Sequence, residues 1–87
     1  MGKKLKEAEE QVIHLTWKCS ELVKMRDEAF RKQEWADKNA TAQLWIQYGQ
    51  EGRRYARQLR KVKEELETAS KLYAVLLEKE KTAEEEH

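Results

Sequence analysis

Apolar residues recur along this chain at alternating intervals of three and four. Leu5, Ala8, Val12, Leu15, Cys19 and Leu22 form one such series, and Leu59, Val62, Leu66, Ala69, Tyr73 and Leu76 form another. An average step of 3.5 residues keeps one face of an α-helix apolar and is the signature of a coiled-coil seam. Nothing in the composition opposes helix. The chain has no proline in 87 residues and is rich in Ala, Leu, Glu, Lys, Arg and Gln, residues that lose little on entering a helix. The expected fold class is all-α.

Between the two series the steps lengthen. Ala36, Ala40, Leu44, Tyr48 and Gly52 follow one another every four residues, which reads as two stutters joining two heptad registers. Arg26 and Gln33 take seam positions, and Ala29, Ala36, Ala40 and Gly52 are small, so the middle has the weakest expected core. One helical segment is expected over 3–83, with heptads at 5–36, an irregular region at 36–52 and heptads at 55–83. Residues 1–2 and 84–87 read as vector-derived or frayed ends.

Two arrangements bury such a stripe. In the first, a near-continuous helix of ~80 residues, about 120 Å long at 1.5 Å per residue, pairs with a second copy as a long coiled coil. In the second, the chain breaks at Gly49–Gly52, because each interior glycine costs a helix about 1 kcal/mol, and the resulting hairpin dimerises into a four-helix bundle. Against that break, no Ser, Thr, Asp or Asn stands at Glu51–Arg54 to cap a second helix. Asp37–Thr41 is a lesser break candidate, with cap-type residues but no Pro or Gly. In both arrangements the oligomer seam comprises Leu5, Val12, Leu15, Cys19, Leu22, Leu44, Tyr48, Tyr55, Leu59, Val62, Leu66, Tyr73 and Leu76.

Charge and cysteine usage narrow the setting. Eighteen basic and seventeen acidic side chains leave a net charge of +1, so no whole-chain field selects nucleic acid or an anionic membrane. No specific nucleic-acid partner and no membrane insertion are expected, since the apolar runs are far shorter than a bilayer-spanning helix. A single cysteine forms no internal disulfide, which suits a reducing, cytoplasmic location.

Partner-binding candidates lie off the seam. Trp17, Trp35 and Ile46 share the opposite side of the helical wheel, and Trp45 extends the apolar group at Leu44–Ile46. A two-stranded coil has no use for tryptophan there. A second helical protein docking on that face does, as does a bundle burying both faces. Arg53, Arg54, Arg57, Arg60, Lys61 and Lys63 fall within eleven residues that contain no acid. Arg53 and Arg57 are candidates to grip an acidic partner, whereas Arg60–Glu64 and Lys61–Glu65 spacings suit pairing along a solvated face.

Catalytic and metal chemistry is not expected, and no cofactor is implied. Glu10, His14 and Cys19 are too few and too widely spaced for a metal site. Glu84-x-x-His87 has di-iron carboxylate spacing without a partner motif. Gly49-x-x-Gly52 follows no strand, so it is not a phosphate loop.

One segment carries a resemblance. Tyr55, Leu59, Val62 and Leu66, with small Ala56 and basic Arg60, resemble the BH3 helix that Bcl-2-family death regulators hold in a groove. The resemblance implies docking of residues 55–66 in a hydrophobic groove, with those four side chains as anchors. The family pattern has a small residue where Lys63 stands and an Asp where Glu64 stands. The expected function is therefore non-enzymatic: self-association, most simply as a homodimer, in a scaffold or protein-interaction segment of a larger protein. An engineered helical-bundle scaffold and the groove-docking helix are the alternatives.

Overall fold

The computed structural model describes residues 2–39 and 41–85, with side chains described through Thr82. Met1, Ala40, Glu86 and His87 lie outside the described residues, so the expectations placed on the chain ends, on Ala40 as a seam residue and on Glu84-x-x-His87 fall partly or wholly there. Two helices account for nearly everything: α1, Gly2–Asn39, and α2, Ala42–Glu85. They pack against each other along their length in a rod of 69 × 15 × 14 Å. The chain is all-α, as expected. It is not the continuous helix of about 120 Å, and the turn is not at Gly49–Gly52.

The reversal occurs at the lesser candidate, and local chemistry explains why. Thr41 stands just before α2, and its hydroxyl Oγ1 accepts the Leu44 N–H at 3.4 Å. That is the N-cap arrangement, in which a short side-chain oxygen satisfies a donor that the first turn leaves free. The Thr41 carbonyl accepts the Trp45 N–H at 3.2 Å. On the other side, the Asn39 side-chain amide donates to the Trp35 carbonyl at 3.1 Å, satisfying an acceptor of the last turn of α1. A two-residue connection between antiparallel helices is a common αα-hairpin length.

Gly49 and Gly52 sit inside α2, and no described residue, glycine included, has positive φ. They serve neither as caps nor as breaks. Both are buried where α1 comes closest. A Cβ added at Gly49 would lie 2.5 Å from Gln33 Nε2, and one added at Gly52 would lie 2.5 Å from Phe30 Cε1. Moving three residues forward along α1 moves the contact three residues back along α2, as antiparallel packing requires.

This register brings the two halves of the seam together: Leu15, Leu22, Leu59 and Val62 form the buried core cluster, with Cys19, Val23, Tyr55, Leu66 and Ala69 packed against it. Towards the turn the buried positions are small, Ala29 and Ala36 on α1 and Gly49 and Gly52 on α2, which lets the helices approach closely. Burial repeats every seven residues along α1, where heptads were expected: Ala8, Leu15, Leu22, Ala29 and Ala36 are all buried. Arg26 and Gln33 are half-buried between these positions. Arg26 turns its guanidinium outward to Asp27 at 3.2 Å, so its stem packs while its charge stays at the surface.

Candidate interaction surface

The seam residues close on each other within one chain. Leu15, Leu22, Leu59 and Val62 are buried. Leu5, Val12, Cys19, Leu44, Tyr48, Tyr55, Leu66, Tyr73 and Leu76 are half-buried. The stripe from each half of the sequence is thus covered by the other half. The same packing bears on the groove-docking helix. Tyr55, Leu59, Val62 and Leu66 face the α1 core, and Leu59 is only 2% exposed, so these four side chains reach a groove only if the hairpin opens.

What remains outside the seam is unusually apolar. Ile13, Trp17, Met25, Trp35, Trp45, Ile46, Leu72, Val75 and Leu77 are all exposed, Trp17 to 70%. The sequence grouped Trp17, Trp35 and Ile46 on one side of a single wheel. The fold separates them. Trp17 and Trp35 are both on α1, eighteen residues and therefore about 27 Å apart. Trp35 and Ile46 flank the turn end on different helices.

The two flanks of the hairpin differ in chemistry. On one, charged residues face each other across the helices: Lys18 and Glu65 border the same surface hollow, as do Lys32 and Glu51. On the other lie Val23, Phe30, Gly49 and Ala56, contiguous at mid-length, each buried or half-buried, with Phe30 laid over Gly52. Heptad geometry puts Ile13, Ile46 and Leu77 on this second side. Sequence reading missed this flank. Its signal was the apolar residue directly after the buried seam position at Leu22–Val23 and Ala29–Phe30, which widens a two-helix seam into a face for further helices.

Arg53, Arg54, Arg57, Arg60, Lys61 and Lys63 are all exposed on α2. The expected Arg60–Glu64 and Lys61–Glu65 pairs do not form. Ion pairs among the described residues are Arg26–Asp27, Lys32–Glu28 at 3.7 Å and Lys71–Glu67 at 3.3 Å. Arg54 lies over the Tyr55 ring, 5.5 Å from its centroid. His14 is exposed and the free thiol of Cys19 is half-buried against the core. No group of three His, Cys, Asp or Glu able to hold a metal occurs among the described residues. Of these residues, no helix is long and apolar enough to cross a membrane.

Compared with protein-family models, with curated proteins and with solved structures, the chain gives no significant match.

Proposed function

We propose that the chain is a non-enzymatic association module: a helical hairpin that pairs with a second copy into a four-helix bundle and so serves as a scaffold or docking segment. The observation that carries this reading is surface area. The hairpin exposes 7128 Å². A compact monomer of 10.4 kDa exposes about 5400 Å² by the usual scaling of area with mass. The excess of about 1700 Å² per chain, doubled over two chains, falls inside the range of about 2000–5000 Å² buried by obligate homodimers. Two helices alone also make a thin core, and chains of this size commonly gain stability by oligomerising.

The flank of Val23, Phe30, Gly49 and Ala56 suits that contact best. Its centre is apolar, whereas the opposite flank is lined by charged side chains, Lys18, Lys61 and Glu65 at one hollow and Glu28, Lys32 and Glu51 at another. Packing of this face on a second copy extends the seam sideways, as in four-helix bundles. Sedimentation equilibrium and small-angle scattering on the wild-type chain and on Ala56→Arg test it. The reading expects a dimer close to 69 Å long in the wild type and a shift towards monomer in the variant. A wild-type chain that stays folded and monomeric at high concentration overturns it, and so does an Ala56→Arg chain of unchanged mass.

A further inference from the structure

The net charge of +1 conceals a strong separation of charge. Residues 53–63 carry six positive charges and no negative ones, so the rest of the chain carries −5. The six side chains are exposed, and none has a carboxylate within ion-pair distance among the described residues. Arg53, Arg57 and Arg60 form a ridge along the back of α2, flanked by Arg54 and Lys61, and Arg57, Arg60 and Lys61 border one shallow hollow. Holding so many like charges unpaired costs self-repulsion that a polyanion relieves.

We propose that this back face of α2 binds the phosphate backbone of nucleic acid, without reading sequence. Three features favour phosphate over other anions. Four of the six cations are arginine, whose planar fork engages phosphate oxygens in pairs. The ridge from Arg53 to Arg60 spans about 10.5 Å of helix axis, alongside which duplex DNA presents one charge per about 1.7 Å, so every cation on it finds a phosphate. The face between Gln50 and Glu64 carries no apolar side chain to enter a lipid bilayer, which separates it from an amphipathic membrane-binding helix. Arg53 and Arg60 stand seven and fourteen residues after Ile46 and so share its side of α2, while Arg54 and Lys61 turn towards the other flank. Glu51 stands two residues before Arg53, and Glu64 follows Lys63 directly and borders the same hollow as Arg57, Arg60 and Lys61.

Fluorescence anisotropy with a labelled mixed-sequence duplex tests the proposal, with poly-glutamate and vesicles of anionic lipid as competing probes. The full chain binds the duplex with an affinity that falls steeply with salt, the slope of log K on log salt being about −3.6 for four contacted phosphates. The triple variant R53Q/R57Q/R60Q loses at least tenfold in affinity with unchanged helicity and mass, since those side chains are outside the core. The control K79Q/K81Q leaves binding as it was. Absence of duplex binding, equal binding by the triple variant, or equal preference for poly-glutamate or for the vesicles each overturns the proposal.

Discussion

The Phe30 ring rests on the backbone of Gly52, so closely that an added Cβ would sit 2.5 Å from Cε1 and 2.7 Å from Cδ1. Gly49 has a softer neighbour, the terminal amide of Gln33. Each glycine costs α2 about 1 kcal/mol of helix propensity relative to alanine, so the neighbour decides the sign of a substitution. Gly49→Ala is expected to stabilise the chain by up to about 1 kcal/mol, because the Gln33 amide swings into solvent. Gly52→Ala is expected to destabilise it, since displacing a packed ring costs about 1–3 kcal/mol. In a Phe30→Ala background the same Gly52→Ala change becomes favourable. Urea unfolding at one fixed protein concentration reads all four variants. A stabilising Gly52→Ala in the presence of Phe30 contradicts the packing.

The turn rests on two side-chain hydrogen bonds, and the one from Leu44 to Thr41 is the more exposed to mutation. Thr41→Ala is expected to cost about 1 kcal/mol, the usual loss for an N-cap, while Thr41→Ser or Thr41→Asp retains most of it. The same unfolding measurement distinguishes them. Three variants of equal stability would mean that the cap contributes nothing.

Core and surface leucines separate sharply in this fold. Leu59 is 2% exposed in one cluster with Leu15, Leu22 and Val62, and Leu72 is 55% exposed. Leu59→Ala is expected to cost about 2–5 kcal/mol, as buried Leu→Ala changes do, enough to unfold much of so small a domain. Leu72→Ala is expected to fall within about 0.5 kcal/mol of wild type. Circular dichroism melts check the ranking, and comparable losses at the two positions would refute the assigned seam.

Much of this was legible because a heptad is a statement about one helix face, whatever covers it. Leu15, Leu22, Leu59 and Val62 announce their burial by spacing alone. The covering partner was not legible. A seam closed by the other half of the same chain and one closed by a second copy have the same periodicity. The turn was misplaced because Gly49 and Gly52 were weighed by propensity, as residues a helix tolerates poorly. Their role is steric: they admit Gln33 and Phe30, and that is a property of α1 that no local window around the glycines contains. Asn39 and Thr41 carried the correct local signal, two cap-type residues two positions apart, without the Pro or Gly that usually marks a reversal. Trp17 and Trp35 show the opposite failure. A single wheel for the whole chain placed them with Ile46, but a wheel has no length, and the fold holds the two tryptophans five helical turns apart.

The charged flank supplies a test of the register itself. Lys18 borders a hollow with Glu65, beside Leu22 and Val62, and Lys32 borders one with Glu51, beside Ala29 and Tyr55. These pairs exceed direct ion-pair distance, so each acts through solvent-screened attraction of at most a few tenths to about 1 kcal/mol. Direction matters more than size. Glu65→Lys sets like charges across the hairpin and is expected to destabilise it by about that amount, most clearly at low salt, where screening is weakest. Lys18→Glu alone does the same, whereas the exchanged pair Lys18→Glu with Glu65→Lys recovers most of the loss, because only the pairing has been restored. A double-mutant cycle at low and high salt measures the coupling. A favourable coupling that shrinks with salt is the expected result. No coupling at low salt would place Lys18 and Glu65 out of each other's reach, and with them the alignment of α1 on α2.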